Sequence, residues 1–335
     1  AEGQRLAVCF PRRPVMTVRG PAMSMDGGRS WQWLGLSALK DENRFEVTVP
    51  ASCTEVRFSM GMPYLESNWR EFVKRVEGLP GFQTGVLCLS RKGRPVETAR
   101  VGRLDGGEPD RILLTCRHHA CEMMANYVLE GILTAVLSGD DGGWLRDHTE
   151  ILAIPFVDKD GVEDGDQGKN RKPRDHNRDY LDHGLYPETR AIRALVPGWS
   201  AGRLRVALDL HCPWIRGGRN ERLFFVGGPD PAIWEQTMRF SRLLSAVQEG
   251  PLRHDPADNL PYGQEWNTER NFVAGRSFSR WASSIPGVIL ATSFEIPYAD
   301  VAGVEVNPET ARALGRDIAR ALQQFLSETE RKSSR

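Results

Sequence analysis

Along the first 65 residues, short runs of alternating apolar and polar positions are broken every few residues by Gly, Pro and Asp. Segments 5–10, 31–34, 44–49 and 55–61 read as strands, because alternation puts every second side chain on one face of a pleated chain. A small antiparallel β-sandwich domain over residues 1–65 is the expectation. Residues 66–76 (ESNWREFVKRV) open on a Glu-Ser-Asn stretch suited to a helix cap and predict a helix leading onward.

From residue 81 the pattern changes to strands alternating with longer helices. Strands are predicted at 85–90, 111–116, 150–157, 204–210, 223–226 and 288–295, and helices at 121–138, 187–195, 231–247 and 308–329. Several of these strands are nearly continuous apolar runs, as expected where helices cover both faces of a sheet. The last helix carries Ala311, Leu314, Ile318, Leu322 and Phe325 close to helical spacing, a stripe that faces a core. The main domain, residues 66–335, is therefore expected to be α/β, with a mixed, mostly parallel sheet flanked by helices.

Composition narrows the function without deciding it. Forty-four basic and 44 acidic residues cancel, so no net charge draws this 335-residue chain to nucleic acid or an anionic membrane. The longest apolar runs, such as 287–292, are far too short to span a bilayer. Six scattered cysteines without a CxxC pair do not make a disulfide framework and read as small buried hydrophobes. The first residues are Ala-Glu-Gly, which leaves two compartments open: cytoplasmic, or exported after removal of a leader.

Four fragments carry candidate chemistry. In RILLTCRHHACE (111–122) an apolar strand runs into His119 and Glu122, whose spacing at a helix start lets imidazole and carboxylate converge on one metal ion. HxxE alone is common by chance; His118, four residues before Glu122, is a flanking alternative. In LRVALDLHCP (204–213) His211 ends a buried strand, where ligand sites form in open α/β sheets. PRDHNRDY (173–180) holds Asn177 and Arg178, an amide and a guanidinium that can together grip a carboxylate. In VILATSFEIPYAD (288–300) Glu295 ends another apolar strand, a position suited to a general base beside a metal-activated water.

In this order the four fragments resemble the zinc metallocarboxypeptidases, most nearly the cytosolic-carboxypeptidase-like branch and its bacterial relatives. Arg117-x-His119-x-x-Glu122 is similar to that branch's R-x-H-x-x-E. Residues 157–162 (VDKDGV) resemble its N-P-D-G-V turn, and 58–64 (FSMGMPY) resemble the segment closing its small β domain. The resemblance spans residues 55 to the C-terminus. It implies one Zn2+ per chain held by His119, Glu122 and His211, and Glu295 as catalytic base. It implies Asn177 and Arg178 on the substrate's α-carboxylate, and Asp175 orienting His119. Arg171 is implied as the cation that polarises the scissile carbonyl, with Arg174 as a competitor. The substrate is then a peptide or protein C-terminus, cut at a peptide or isopeptide bond. The alternatives are a desuccinylase- or aspartoacylase-like amidohydrolase of small N-acyl amino acids, and a catalytically silent peptide-binding relative.

Three further features bear on specificity. No tyrosine lies between Gly263 and Pro297, where many relatives place one that contacts substrate, so Tyr262 is the remaining candidate. Arg270, Arg276 and Arg280 precede the last strand and suggest acidic C-terminal residues; exposed arginines are the plainer reading. Asp158, Asp160, Glu163, Asp164 and Asp166 form an acidic stretch that suggests calcium, without EF-hand spacing, or a solvated loop.

Overall fold

The structure, a computed structural model, describes residues 3–11, 15–139 and 142–333. Its N-terminal part contains β1 (Gln4–Cys9), β2 (Ala22–Ser24), β3 (Gln32–Trp33), β4 (Leu39–Asp41), β5 (Arg44–Val49) and β6 (Arg57–Ser59). These pair antiparallel as two three-stranded sheets, β1-β5-β4 and β3-β2-β6. Phe45 of β5 meets Phe58 of β6 edge-on, ring centroids 4.9 Å apart, and so ties one sheet to the other. Strands β2 and β4, each of three residues, are too short for alternation to mark them.

Helix α1 (Glu66–Val76) follows and buries Trp69, Phe72 and Val76 on one side. Then come β7 (Phe82–Leu89), β8 (Pro95–Gly102), β9 (Asp110–Cys116), α2 (Met124–Ser138), α3 (Gly143–His148), β10 (Thr149–Ile154) and α4 (Lys159–Asp164). The chain continues through α5 (Pro187–Ser200), β11 (Leu204–His211), β12 (Phe224–Val226), α6 (Pro231–Val247), α7 (Phe278–Ala282) and β13 (Leu290–Glu295). It ends with the β14 (Asp300–Val301) and β15 (Val304–Glu305) pair and α8 (Pro308–Ser333).

The central sheet has seven strands in the order β12-β13-β11-β9-β10-β8-β7. Its four middle strands β13, β11, β9 and β10 run parallel, and β12, β8 and β7 pair antiparallel at the flanks. The fold is thus α/β with a mixed sheet, as the apolar runs predict. Alternate residues of β9 serve opposite faces: Ile112 and Leu114 join the core under α2 and α8, and Leu113 joins the core under α5 and α7. Ala22, Met62 and Tyr64 belong to the first of these cores, so the N-terminal sheets and the large sheet share buried apolar surface.

The parallel register decides where chemistry can occur. Along β11 and β13 the paired residues run from Val206 with Leu290 to His211 with Glu295. Two polar residues that end separate apolar runs therefore stand side by side at the C-terminal edge of the sheet, where open α/β sheets form their sites.

Helices α2 and α8 pack closely enough that glycine is required at the crossing. A Cβ on Gly131 would collide with the carbonyl oxygen of Arg312, and one on Gly315 with that of Val128. Gly131→Ala is expected to cost about 1–3 kcal/mol, the usual penalty of overpacking, read as a lower urea midpoint with an unchanged slope. An unchanged midpoint would show that the two helices can move apart freely.

Candidate metal centre and active-site cavity

After β9 the chain turns sharply, and this turn, not a helix, brings His119 and Glu122 together. Helix α2 begins at Met124, three residues later than the apolar pattern suggests, and the Glu122 N–H donates to the His119 carbonyl at 3.2 Å. Arg117 holds the turn from within. Its backbone sits at φ 62°, a left-handed conformation unfavourable for a residue with a Cβ. Its buried guanidinium offsets that strain by donating to the carbonyl oxygens of Tyr64 (2.8 Å) and Ala120 (2.9 Å) and to Asn126 Oδ1 (2.8 Å). From the opposite side Gly168, at φ +83°, lies so close that a Cβ there would strike the Ala120 nitrogen.

Glu122 is the centre of the cluster. Its Oε1 lies 2.9 Å from His119 Nδ1 and its Oε2 2.7 Å from His211 Nδ1. One ligand atom from each of the three residues falls within 4.8 Å of the other two. Tetrahedral zinc with bonds of about 2.0–2.2 Å sets its ligand atoms roughly 3.3–3.6 Å apart, so the set fits such an ion with small adjustments. The far nitrogens are also backed by acid: Asp175 Oδ1 lies 3.4 Å from His119 Nε2, and Asp209 Oδ2 lies 2.5 Å from His211 Nε2. A carboxylate behind the imidazole is the usual support of a metal-binding histidine, since it fixes the tautomer and the ring orientation.

His118, Asp209 and His211 also stand close enough to form a cluster. His118, however, is fully buried, with Nδ1 on Asp209 Oδ1 (2.8 Å) and Nε2 on the Tyr180 hydroxyl (2.7 Å). Thr115 Oγ1 donates to the same Asp209 oxygen at 2.8 Å. His118 and Asp209 lie behind the cavity wall, whereas His119, Glu122 and His211 line it. The cluster that includes His118 thus supports His211 from behind.

Electrostatics agree with this division. Burial opposes charge on the His119 ring, but Glu122 and Asp175 outweigh it and raise its pKa to about 9. Burial also opposes charge on Glu122, yet His119, Lys169 and His211 hold its pKa well below the ordinary value. Glu295 differs: desolvation raises its pKa, and its Oε2 is buried with no hydrogen-bond partner. An orphaned carboxylate oxygen facing a site is costly unless a ligand or substrate group satisfies it.

The cavity has a volume of about 420 Å³ and also reaches Asn177, Arg178, Trp214, Trp266 and Arg280. Asn177 Nδ2 lies 3.1 Å from His211 Nε2, and its Oδ1 accepts from the Phe278 N–H at 2.9 Å. Arg178 donates to the carbonyl oxygens of Asn271 (2.9 Å) and Asn177 (2.7 Å), and its guanidinium lies 4.7 Å from the centre of the Phe272 ring. Arg280 lies over the same ring at 3.7 Å, is paired with Glu269 at 3.0 Å, and keeps a buried Nε without a partner.

Other expected residues are placed differently. Arg171 borders the cavity, but Asp158 (2.5 Å) and Asp166 (2.9 Å) hold its guanidinium. Arg174 is paired with the buried Asp179 at 2.9 Å. Arg270 and Arg276 do not line the cavity, and neither does Tyr262, whose hydroxyl donates to Glu269 at 2.6 Å. The acidic stretch 158–166 is not a loop: it contains α4, capped by Asp158, with Asp160 and Asp164 paired to Arg94. No cluster of calcium type forms there among the described residues.

Sequence reasoning missed Lys169 and gave Asp209 no role. The D-L-H spacing was a usable signal for Asp209, since residues two apart in a strand share a face. Nothing in the local pattern marks Lys169, whose Nζ lies 2.9 Å from Glu122 Oε1.

No family model and no curated protein matches the sequence. Solved structures match in shape. The metallo-carboxypeptidase from Burkholderia cenocepacia superposes with a TM-score of 0.79 at 18% identity, over 98% of this chain and 87% of that one. The chain has the metallo-carboxypeptidase fold. The Pseudomonas aeruginosa metallo-carboxypeptidase, solved with (2-guanidinoethylmercapto)succinic acid, gives a TM-score of 0.77 at 20% identity and the same coverages. Carboxypeptidase A from Helicoverpa armigera gives 0.59 at 12% identity, over 81% of this chain and 74% of that one. At 98% coverage the bacterial structures take in the small N-terminal sheets as well as the large one.

Two outcomes follow for metal binding. Asp209→Asn is expected to loosen zinc by about 10–100-fold, the usual effect of removing such a support, measured by competition with a chelator. Because His119 is protonated below about pH 9, zinc must displace that proton. Apparent affinity should therefore rise by close to tenfold between pH 7 and 8 and level off as the pH passes about 9; a flat profile would contradict the site.

Proposed function

We propose that the protein is a zinc-dependent metallocarboxypeptidase that hydrolyses the C-terminal peptide or isopeptide bond of a peptide substrate. The observation that carries this reading is the convergence of His119, Glu122 and His211 beside Glu295 and its orphaned oxygen, in one cavity of a carboxypeptidase fold. His119, Glu122 and His211 would hold the metal, which when bound supplies Lewis acidity and makes water a nucleophile near neutral pH.

The chain's own groups account for the rest. Desolvated Glu295 takes a proton from the attacking water and later delivers it to the nitrogen of the departing residue. Its raised pKa favours that shuttle, since a base in the ordinary carboxylate range would release the proton too readily. Arg178, with Asn177 beside it, forms the cationic wall that would hold the substrate's α-carboxylate and so limit cleavage to the last residue. Asp175 and Asp209 keep both imidazoles in the orientation the metal needs.

Arg280 supports a finer reading, a preference for acidic C-terminal residues. Its guanidinium, like that of Arg178, lies over the Phe272 ring, and its Nε is unsatisfied. A second carboxylate on the substrate could replace exposed Glu269 as its partner.

Glu295→Gln should retain zinc and lose at least about 10²-fold in kcat, the lower end of what a general base contributes. Unchanged hydrolysis would eliminate Glu295 as the base. On peptides differing only in their last residue, Glu or Asp should be released fastest, and Arg280→Met should abolish that ranking. Faster release of Arg or Phe would overturn the acidic preference and leave the zinc chemistry untouched.

A further inference from the structure

Lys169 is the cation in contact with the metal cradle, whereas both arginines expected to polarise the substrate carbonyl are ion-paired to acids that do not line the cavity. Asp158 and Asp166 hold Arg171, and Asp179 holds Arg174. Lys169 Nζ lies 2.9 Å from Glu122 Oε1 and within electrostatic reach of Glu295, and the residue lines the same cavity. We propose that Lys169 is the catalytic cation that stabilises the oxygen of the scissile carbonyl, a role the sequence pattern suggested for an arginine. The proposal rests on the carboxypeptidase reading.

The backbone places Lys169 there. Gly168 presses against the His119–Ala120 peptide, where no Cβ fits, and the next residue consequently enters the site. Nζ donates to the carbonyl oxygens of Cys212 (2.6 Å) and Pro213 (3.2 Å), just past His211, and lies 5.2 Å from the centre of the Trp214 ring. These contacts fix the ammonium at the rim of the cradle. Two of its N–H groups serve those carbonyl oxygens and the third meets Glu122 Oε1; with Glu122 engaged as a metal ligand, that third N–H is the one that turns to the substrate oxygen.

In the reaction, water oxygen bonds to the carbonyl carbon as Glu295 takes its proton, and the carbonyl π pair moves onto oxygen. Lys169 donates an N–H to that oxyanion without losing its proton. The pair then returns, the C–N bond breaks, and the nitrogen leaves with the proton from Glu295. Atoms and charge balance with water as the only co-reactant. A preorganised donor of this kind typically contributes 10²–10³-fold in kcat.

A positive charge beside a metal ligand repels the metal, so this assignment predicts effects of opposite sign on binding and turnover. The test compares the full-length wild type with Lys169→Met and Lys169→Arg. It measures zinc affinity by chelator competition and kcat/KM on a peptide ending in Glu. Lys169→Met should bind zinc as tightly as wild type or more tightly. It should also lose about 10²–10³-fold in kcat/KM, mostly in kcat, with at least tenfold recovered by Lys169→Arg. Zinc affinity weakened tenfold or more would make Lys169 a structural prop for Glu122 and overturn the proposal, as would a kcat/KM loss under tenfold. A wild type that cleaves no peptide would refute the carboxypeptidase reading itself, a result distinct from an active wild type with an indifferent variant. Melting curves of the zinc-free proteins check folding, and Lys169→Gln replaces the Met variant if that one fails to fold.

Discussion

The parallel pairing of β11 with β13 is the constraint on which the rest of the site depends. It sets His211 beside Glu295, and side chains on a strand alternate between faces with a period of two. A one-residue slip of either strand would turn its polar terminus into the opposite core. The apolar stretch before each residue therefore sets the register as well as filling the interior. The apolar runs of β11 and β13 end at residues assigned to chemistry for this reason. The turn after β9 then adds His119 and Glu122 at the same edge, locked from one side by the Arg117 guanidinium and from the other by Gly168.

Buried charge dictates the second layer. Glu122 and Asp209 are nearly or completely inaccessible to water, and an isolated buried carboxylate would cost several kcal/mol. The structure offsets this by sharing: Asp209 bridges His118 and His211, and Glu122 bridges His119 and His211 with Lys169 alongside. Glu295, by contrast, keeps one oxygen unsatisfied. A site whose supporting groups are paired and whose proposed base is not has its unmet hydrogen-bonding capacity where a substrate would bind.

Most of the large sheet could be read from the sequence because buried strands leave long apolar runs. Strand β8 could not, because Glu97 and Arg100 make it look polar; in the fold they pair with Lys159 and Glu150. The apolar pattern starts α2 at residue 121 rather than Met124, because periodicity cannot separate a tight turn from a first helical turn. His211 and Glu295 stand out as the polar ends of apolar strands, and His119 and Glu122 as metal-type ligands in the turn just after a third. The local pattern does not separate Arg171 from Lys169, since in a loop of mixed charge the reach of long side chains is decided by partners distant in sequence. Asp158 claims Arg171 from 13 positions away, and Glu122 meets Lys169 from 47 positions away (169 − 122).

The central claim is that a single zinc ion binds between two imidazoles and Glu122 at this sheet edge. X-ray absorption at the zinc edge tests it most directly, recorded on the loaded wild type and on His118→Phe and His119→Phe variants. The account predicts one zinc per chain with two nitrogen ligands and otherwise oxygen at about 2.0–2.2 Å. One nitrogen should be lost in His119→Phe and none in His118→Phe. Loss of a nitrogen in His118→Phe, or no stoichiometric zinc in the wild type, would contradict it.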